Sequence, residues 1–568
     1  MIMRPLPIGI EDFRKLREKD YYYIDKTTFI KELLDNGSEV SLFMRPRRFG
    51  KTLNLSMIKY FFEKTFDQDG KEENNSYLFD GLNIMASGET YKSHMGQYPV
   101  ISLSLKSAKQ PDFPRAYTML KRQIANEFRR HLYIAEKLEE SDRDRFYSIM
   151  RETGEDSLYL DALAFLSRVL KDIYGKKTII LLDEYDVPLE NAYFKGFYDK
   201  MTDFIRSLFE SALKTNPNLE FAVITGCLRI TNDFCRIHSE SIFTGLNNPK
   251  MVSILDASYS EYFGFTQPEV EKMLRDYDIT GREEVVKAWY DGYLFGKTEV
   301  YNPWSILMYI DSLRQDRDAN PKPYWANTSS NSIIRELIEH ADNSVKQEME
   351  ILIEGGTIEK TVHEEITYED IYKNADNLWN FLFFTGYLKK VEERLEDVTT
   401  YVTLAIPNME IKYIYQNTIL DWFGVQIKQK DLSGIYKALL QKDTQLLEKE
   451  LSKSLMETIS FYDYREDYYH GFLGGLLKLM EGYTIKSNRE SGLGRSDLLL
   501  LSAPYDGIAI IVEIKVADTY AQLNKKAESA LEQIEQKQYD AELKLEGYHE
   551  FIKYGISFYK KLCRVLCV

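Results

Sequence analysis

The sequence predicts an α/β protein in two parts. The first is a parallel sheet with a phosphate-binding loop, the last a smaller α/β domain, and a helical, winged-helix-like middle joins them. Three observations carry this prediction. An apolar run, Val40–Met44, leads through RPRRFGKT (residues 45–52) into the helical stretch LNLSMIKYFFE. Further apolar runs at 98–105, 176–186 and 219–226 alternate with helical spacing, the pattern of a parallel sheet. Near the C-terminus, GRSDLLL (494–500) and IAIIVEIKV (508–516) are apolar strands that carry acids otherwise unwelcome in a core.

At 568 residues the chain has room for several domains. A composition 44% hydrophobic and 13% aromatic supports buried cores and excludes a disordered chain. The formal net charge of -16 excludes a uniformly basic nucleic-acid glove and leaves only a local groove for that role. Cys227, Cys235, Cys563 and Cys567 make no disulfide framework and suggest a reducing compartment. No histidine stands beside Cys563 and Cys567, which read as ordinary thiols rather than zinc ligands. The N-terminus, MIMRPLPIGIEDF, has charge and proline where a signal peptide needs an apolar core. No apolar run approaches the ~20 residues of a membrane span. The expected location is cytoplasmic, with no membrane partner.

Taken in order, YYYIDKTTFIKELLDNG is a tyrosine-rich entry followed by a helix that ends at Gly37. YPVISLSL is a strand, and 113–173 have charged and apolar residues at helical spacing. KKTIILLDEYD is a buried strand ending in acids, 199–214 a helix, LEFAVITG another buried strand and MVSILD a further one. After about residue 262 the pattern becomes helical, beginning with FTQPEVEKMLRDY and its early Pro268. Residues 331–356 and 431–455 are helical and charged or polar. Residues 369–406 are a helix and a hairpin, as in a winged-helix-like unit. The expected domains are 1–262, a helical lid at 263–330, a helical and winged-helix-like region at 331–455, and a last domain at 456–568.

Strand, loop, Gly-Lys-Thr and helix together form the context of a phosphate-binding loop. Gly50 precedes the helix, Lys51 would reach the β- and γ-phosphates, and the Thr52 hydroxyl would hold Mg2+. Arg45 stands where a first glycine is usual. The second half of such a site is an acidic pair after a buried strand, supplied by Asp183 and Glu184. Asp183 would hold Mg2+ through water and Glu184 would orient or deprotonate the attacking water. The next strand ends in Thr225 and Gly226. Thr225 could sense the γ-phosphate, and Arg229 could offer positive charge to the transition state.

In the last domain Glu513 and Lys515, two apart, share a strand face, and a short hairpin with Pro504 and Gly507 would bring Asp497 beside them. Asp497 and Glu513 offer oxygen ligands to a divalent cation, and Lys515 could activate water and stabilise phosphorane charge. Residues 451–568 hold 15 Lys+Arg and 17 Asp+Glu, a net of -2, so affinity for phosphates would need the other module or a partner.

YYYIDKTTFI, RPRRFGKTLNLSMIKYFF, TIILLDEYDVPL, VITGCLRI, FTGLNN and YDGYLFG..EVYNPWSIL together resemble the AAA-ATPase-like family, relatives of STAND-type and archaeal P-loop ATPases, over residues 4–310. The resemblance implies a P-loop NTPase fold and ATP binding with an arginine-rich loop. It adds Arg45 and Arg48 to Gly50, Lys51, Thr52, Asp183 and Arg229 as nucleotide-site candidates. The D-x15-ExK spacing resembles the PD-(D/E)xK nuclease core over 456–568, a restriction-endonuclease-like fold. That resemblance implies a further metal-binding acid at Glu466, with Gln533 and Tyr539 on the following helix and His470 packing or orienting.

Three readings stay open. One is an ATP-hydrolysing protein whose Mg2+- or Mn2+-dependent nuclease-like domain cuts nucleic acid, in defence or mobile-element biology. A homo-oligomer follows if Arg229 acts across an interface. Another is a nucleotide-gated signalling or scaffold protein whose nuclease-like domain binds without cutting. A nucleotide-binding protein without turnover is a third, because the loop is arginine-rich.

Overall fold

A computed structural model describes residues 3–66, 72–214, 216–228, 231–232, 240–241, 249–325, 343–364, 371, 375–417, 432–456, 466–478, 480–491, 494–502 and 507–568. It divides into two compact units, Met1–Ser330 with Glu359–Ile411, and Asn331–Ile358 with Lys412–Val568. The expected region 331–455 is therefore shared between them. Its helix and hairpin group with the first unit, where Gly386 comes against Pro46 of the loop at 45–52.

The first unit is built on five parallel strands: β1 (Val40–Met44), β2 (Val100–Ser104), β3 (Thr178–Asp183), β4 (Leu219–Gly226) and β5 (Lys250–Val252). Their order is β2-β3-β4-β1-β5. β1 and β3 are buried along their whole length, so both faces need apolar side chains, as their sequences supply. Register places Met44 opposite Gly226 and Ser104 opposite Asp183. The carboxyl ends of β1, β3 and β4 thus finish at one edge, where open α/β sheets bind ligands. Helix α1 (Lys51–Phe62) follows β1 and buries Leu55, Met57, Ile58, Phe61 and Phe62.

Beyond residue 262 the chain is less helical than its pattern suggests. β6 (Phe265–Thr266), β7 (Tyr293–Phe295) and β8 (Thr298–Tyr301) form a small antiparallel sheet in the order β6-β8-β7. Alternating aromatics on either side of the Gly296 turn explain the hairpin. α2 (Gln267–Asp276) starts with a Thr266/Glu269 capping box and Pro268 in its first turn, as expected. α3 (Pro303–Gln315) is capped by the Asn302 side chain. The helix α4 (Ala375–Phe384) and the hairpin β9 (Lys389–Glu396) and β10 (Thr399–Ala405) complete the unit. In the segment MVSILD only Met251 and Val252 lie in a strand.

The second unit contains five strands in sequence order: β11 (Tyr483–Ser491), β12 (Gly494–Ser502), β13 (Ile508–Val516), β14 (Glu550–Tyr559) and β15 (Leu562–Cys567). Only β13 and β14 are parallel, and α5 (Leu523–Lys537) connects them. Helix α6 (Glu466–Leu477) packs on the other face and buries Phe472, Leu473, Leu476 and Leu477 against Leu498, Val512 and Ile514. The Tyr469 ring stacks on Phe558 at 4.2 Å between centroids. Among the described residues, no helix is long and apolar enough to cross a membrane.

Candidate functional site

Thr52 and Asp183 meet at the carboxyl edge of the first sheet. The Thr52 hydroxyl donates to Asp183 Oδ2 at 2.7 Å, and the Thr225 hydroxyl donates to Oδ1 at 2.5 Å. Thr225 is therefore occupied in orienting the carboxylate, where the sequence suggested a γ-phosphate sensor. Two hydroxyl donors fix Asp183 with its oxygens toward the start of α1, a hard-oxygen set that suits Mg2+. Lys51 opens α1 and is buried. Its Nζ donates to the carbonyls of Arg45 at 2.8 Å and Pro46 at 2.9 Å, and lies 3.6 Å from Cys227 Sγ. The ammonium is thus parked on its own loop, one side-chain rotation from the helix N-terminus.

The five loop residues before Gly50 take different directions. Gly50 has φ 83° and Arg48 φ 69°, both left-handed, which folds the backbone around the start of α1. Arg45 corrects the expectation of a phosphate contact. Its guanidinium is fully buried, donates to the Met44 and Val252 carbonyls, and lies 5.2 Å from the Phe263 ring and 5.1 Å from that of Phe295. Burial pushes its pKa down to about 9. Arg45 is a brace beneath the loop, held by rings from the lid region. Phe49 is a second internal anchor: it is fully buried, 4.9 Å from the Tyr293 ring and 5.2 Å from that of Phe295, and its carbonyl accepts from Gly264 N at 3.2 Å. Arg47 pairs with Glu190. Arg48 lies over Trp304 at 4.9 Å, at the cavity wall.

Glu184 follows Asp183 with φ 52°, an uncommon conformation for a residue with a side chain. Burial, and then the neighbouring Asp183, raise its pKa. Asp186, which the sequence reading passed over, accepts from Cys227 N at 2.7 Å and Leu228 N at 3.4 Å and so fixes the turn after β4. The third acid of DEYD was the available signal. Gly226 is required there because an added Cβ would lie 2.5 Å from the Tyr185 ring. Arg229 lies outside the described residues.

Arg47, Arg48, Gly50, Lys51, Thr52 and Glu184 border a cavity of about 310 Å³. Its lining combines the apolar side chains Tyr22, Ile24, Met273, Trp304 and Leu307 with the cations Arg47, Arg48, Lys51, Lys106 and Lys109. Its volume and mixed lining match small-molecule sites.

The second constellation lies on β12, β13 and α5. Asp497 stands inside β12 rather than opening it. Its Oδ2 accepts from Ile514 N at 2.7 Å, and its carbonyl accepts from His470 Nε2 at 2.8 Å. Burial raises its pKa, opposed by that amide and by Lys515 and His470. Glu513 is 1% exposed. Gln533 Nε2 donates to Glu513 Oε1 and also to the Tyr539 hydroxyl at 3.3 Å, and Lys515 Nζ is 3.6 Å from Glu513 Oε1. Tyr539 lies just past the end of α5, after the left-handed Gln538. Glu466 begins α6, but its side chain lies outside the described residues. Pro504 is also outside them.

The first fold and its edge define a phosphate-loop ATPase domain, and the second defines a nuclease-superfamily domain. Residues 7–234 match the model of the AAA-ATPase-like family, described as a predicted AAA-ATPase, and residues 464–566 match that of the PD-(D/E)XK nuclease superfamily. A curated relative, described as an uncharacterized protein in vnfD 5'region of Azotobacter chroococcum mcd 1, is 24% identical over 564 residues, covering 96% of this chain and 95% of its own length.

Proposed function

We propose that the protein binds and hydrolyses ATP at the first site, and that the nucleotide state governs metal-dependent phosphodiester cleavage of nucleic acid at the second. The observation that carries this reading is the Thr52–Asp183 bond, with Thr52 lining a cavity whose walls combine cations and apolar side chains. Lys51 exchanges the Arg45 and Pro46 carbonyls for phosphate oxygens, amides at the start of α1 receive the phosphates, and the aromatic side chains of the lining take the base. Thr52 and Asp183 would hold Mg2+, which neutralises charge on the phosphates. Glu184 accepts the proton of the attacking water.

At the second site Asp497 and Glu513 would hold Mg2+ or Mn2+, which supplies Lewis-acid activation. Gln533 keeps Glu513 oriented, and Lys515 carries positive charge toward the scissile phosphate. A role in defence or mobile-element biology fits this pairing. Steady phosphate release that is lost in Glu184→Gln, with nucleotide binding retained, supports turnover. Cleavage of DNA or RNA with Mg2+ or Mn2+ and ATP, abolished in Lys515→Ala, supports cutting. Intact nucleic acid in both proteins refutes it.

A second reading has its own observation. Among the described residues no group of three or more metal-ligating side chains gathers, and Glu513 is already engaged by Gln533 and Lys515. A nucleotide-gated binder that does not cut would hold nucleic acid equally well after Glu513→Ala.

A further inference from the structure

A second element faces the phosphate-binding loop across the cavity. β2 runs beside β3 with Ser104 opposite Asp183, and Leu105 N donates to the Asp183 carbonyl at 3.0 Å. The chain leaves that edge in a single 3-10 turn, Lys106–Ala108. In such a turn residues three apart stand on one side, and Lys106 and Lys109 both line the cavity with Lys51, Thr52 and Glu184. Lys106 Nζ meets Glu11 at 3.2 and 3.4 Å, and both side chains remain about half exposed, at 56% and 49%. Glu11 belongs to the N-terminal segment that supplies Pro7, Ile10, Tyr22 and Ile24 to the cavity wall. The charges of Lys51 and Lys106 both act on Glu184.

We propose that Lys106 contacts the terminal phosphate of a bound nucleoside triphosphate and gives up Glu11 to do so. This rests on the nucleotide reading above. An exposed carboxylate pair is held weakly because water screens it. A terminal phosphate offers more charge and three acceptor oxygens, in a cavity with apolar walls where the attraction is less screened. Diphosphate does not reach the turn, so Lys106 keeps Glu11. The N-terminal segment is then tied to the turn after β2 in the diphosphate state and released in the triphosphate state, which makes it a reporter of the third phosphate. Lys106 also supplies, from within the same chain, positive charge beside Glu184.

The test uses the full chain and calorimetric titration with ADP and with a non-hydrolysable ATP analogue. Lys106→Met is expected to weaken the analogue by about tenfold and ADP by less than about twofold, with Lys106→Arg restoring most of the difference. Glu11→Gln removes the competing carboxylate and is expected to tighten the analogue by about two- to threefold without altering ADP. Hydrogen exchange in residues 3–24 of the wild type should rise with the analogue relative to ADP, and Lys106→Met should abolish that difference. Equal weakening of both nucleotides in Lys106→Met would move the contact to the inner phosphates and overturn the proposal. No change in either would also overturn it while leaving nucleotide binding intact. A wild type that binds neither nucleotide sinks both this proposal and the reading beneath it.

Discussion

Gly386 lies directly against Pro46, so that a Cβ added at Gly386 would stand 2.9 Å from the proline Cβ. Gly386 sits between α4 and the β9–β10 hairpin with φ 90°. Pro46 is the residue whose carbonyl holds Lys51. The backbone at Gly386 therefore comes against the Pro46 ring of the phosphate-binding loop.

Gly386→Ala should accordingly do two separable things. Left-handed strain should cost about 1–3 kcal/mol of stability. Displacement of Pro46 should also weaken nucleotide binding, by about fivefold if the loop shifts by a few tenths of an ångström. Gly355→Ala is the control, because Gly355 has φ 94° but nothing within 4 Å of an added Cβ. It should lose stability alone. Thermal denaturation and nucleotide titration of both variants distinguish the effects, and equal affinities in the two would show that the Pro46 contact transmits nothing.

Arg45 makes a different prediction from its neighbours. As a buried brace it should matter to stability more than to phosphate affinity. Arg45→Met fills much of the volume and removes the charge, but leaves the Met44 and Val252 carbonyls without that donor. A cost of about 1–3 kcal/mol is expected from the lost hydrogen bonds, with ATP affinity per folded molecule altered by less than about threefold. Arg45→Lys should not restore stability, since an ammonium lacks the planar fork that lies between the Phe263 and Phe295 rings. Affinity that collapses while the melting temperature holds would return Arg45 to the role of phosphate ligand.

The contrast between Lys51 and Arg45 marks how much of the fold and site was legible in sequence. Gly50, Lys51 and Thr52 announce themselves by local order, a strand, a loop and a helix, and Asp183 by the apolar run before it. Those patterns need only neighbouring residues. Arg45 reads as a phosphate ligand by charge, and its inward turn is decided by Phe263 and Phe295, more than two hundred positions away. The Thr225–Asp183 bond likewise depends on β3 and β4 lying side by side. The hairpin β7–β8 escaped because its aromatics fit helical spacing as well as alternation. At the second site the pair Asp497 and Glu513 was legible from strand periodicity, whereas the Ile514 amide that occupies Asp497 Oδ2 was not.

Glu410 predicts the direction of a pH effect. It is fully buried, accepts from Trp325 N and Ser305 Oγ at 2.8 Å each, and burial raises its pKa to about 7. The folded protein therefore binds a proton that the unfolded chain releases near its ordinary value. Between those two values the native state holds more protons, so stability falls as pH rises. Glu410 contributes fully below the ordinary carboxylate range and loses about 3 kcal/mol once pH passes 7. Glu410→Gln should keep both acceptor contacts partly satisfied and flatten that part of the profile. Melting temperatures of the two proteins from pH 5 to 8 should converge or cross as pH rises, and parallel profiles would mean that Glu410 does not titrate in this range.

Gln533 offers the sharpest test of the second site because it touches Glu513 without offering a carboxylate of its own. If Glu513 is a metal ligand, Gln533 holds its unused direction fixed and keeps it from closing on Lys515, 3.6 Å away. Removing such an orienting partner typically costs about 10- to 100-fold in metal affinity or activity. Gln533→Ala should therefore raise the Mn2+ concentration needed for half-maximal binding, read by calorimetry on the full chain, by at least about tenfold. Gln533→Glu should differ again, since a carboxylate beside buried Glu513 adds repulsion that a cation relieves. Its apo form is expected to be less stable than the wild type, and Mn2+ should recover the difference. Metal binding that is equal in wild type, Gln533→Ala and Glu513→Ala would place no cation at Glu513.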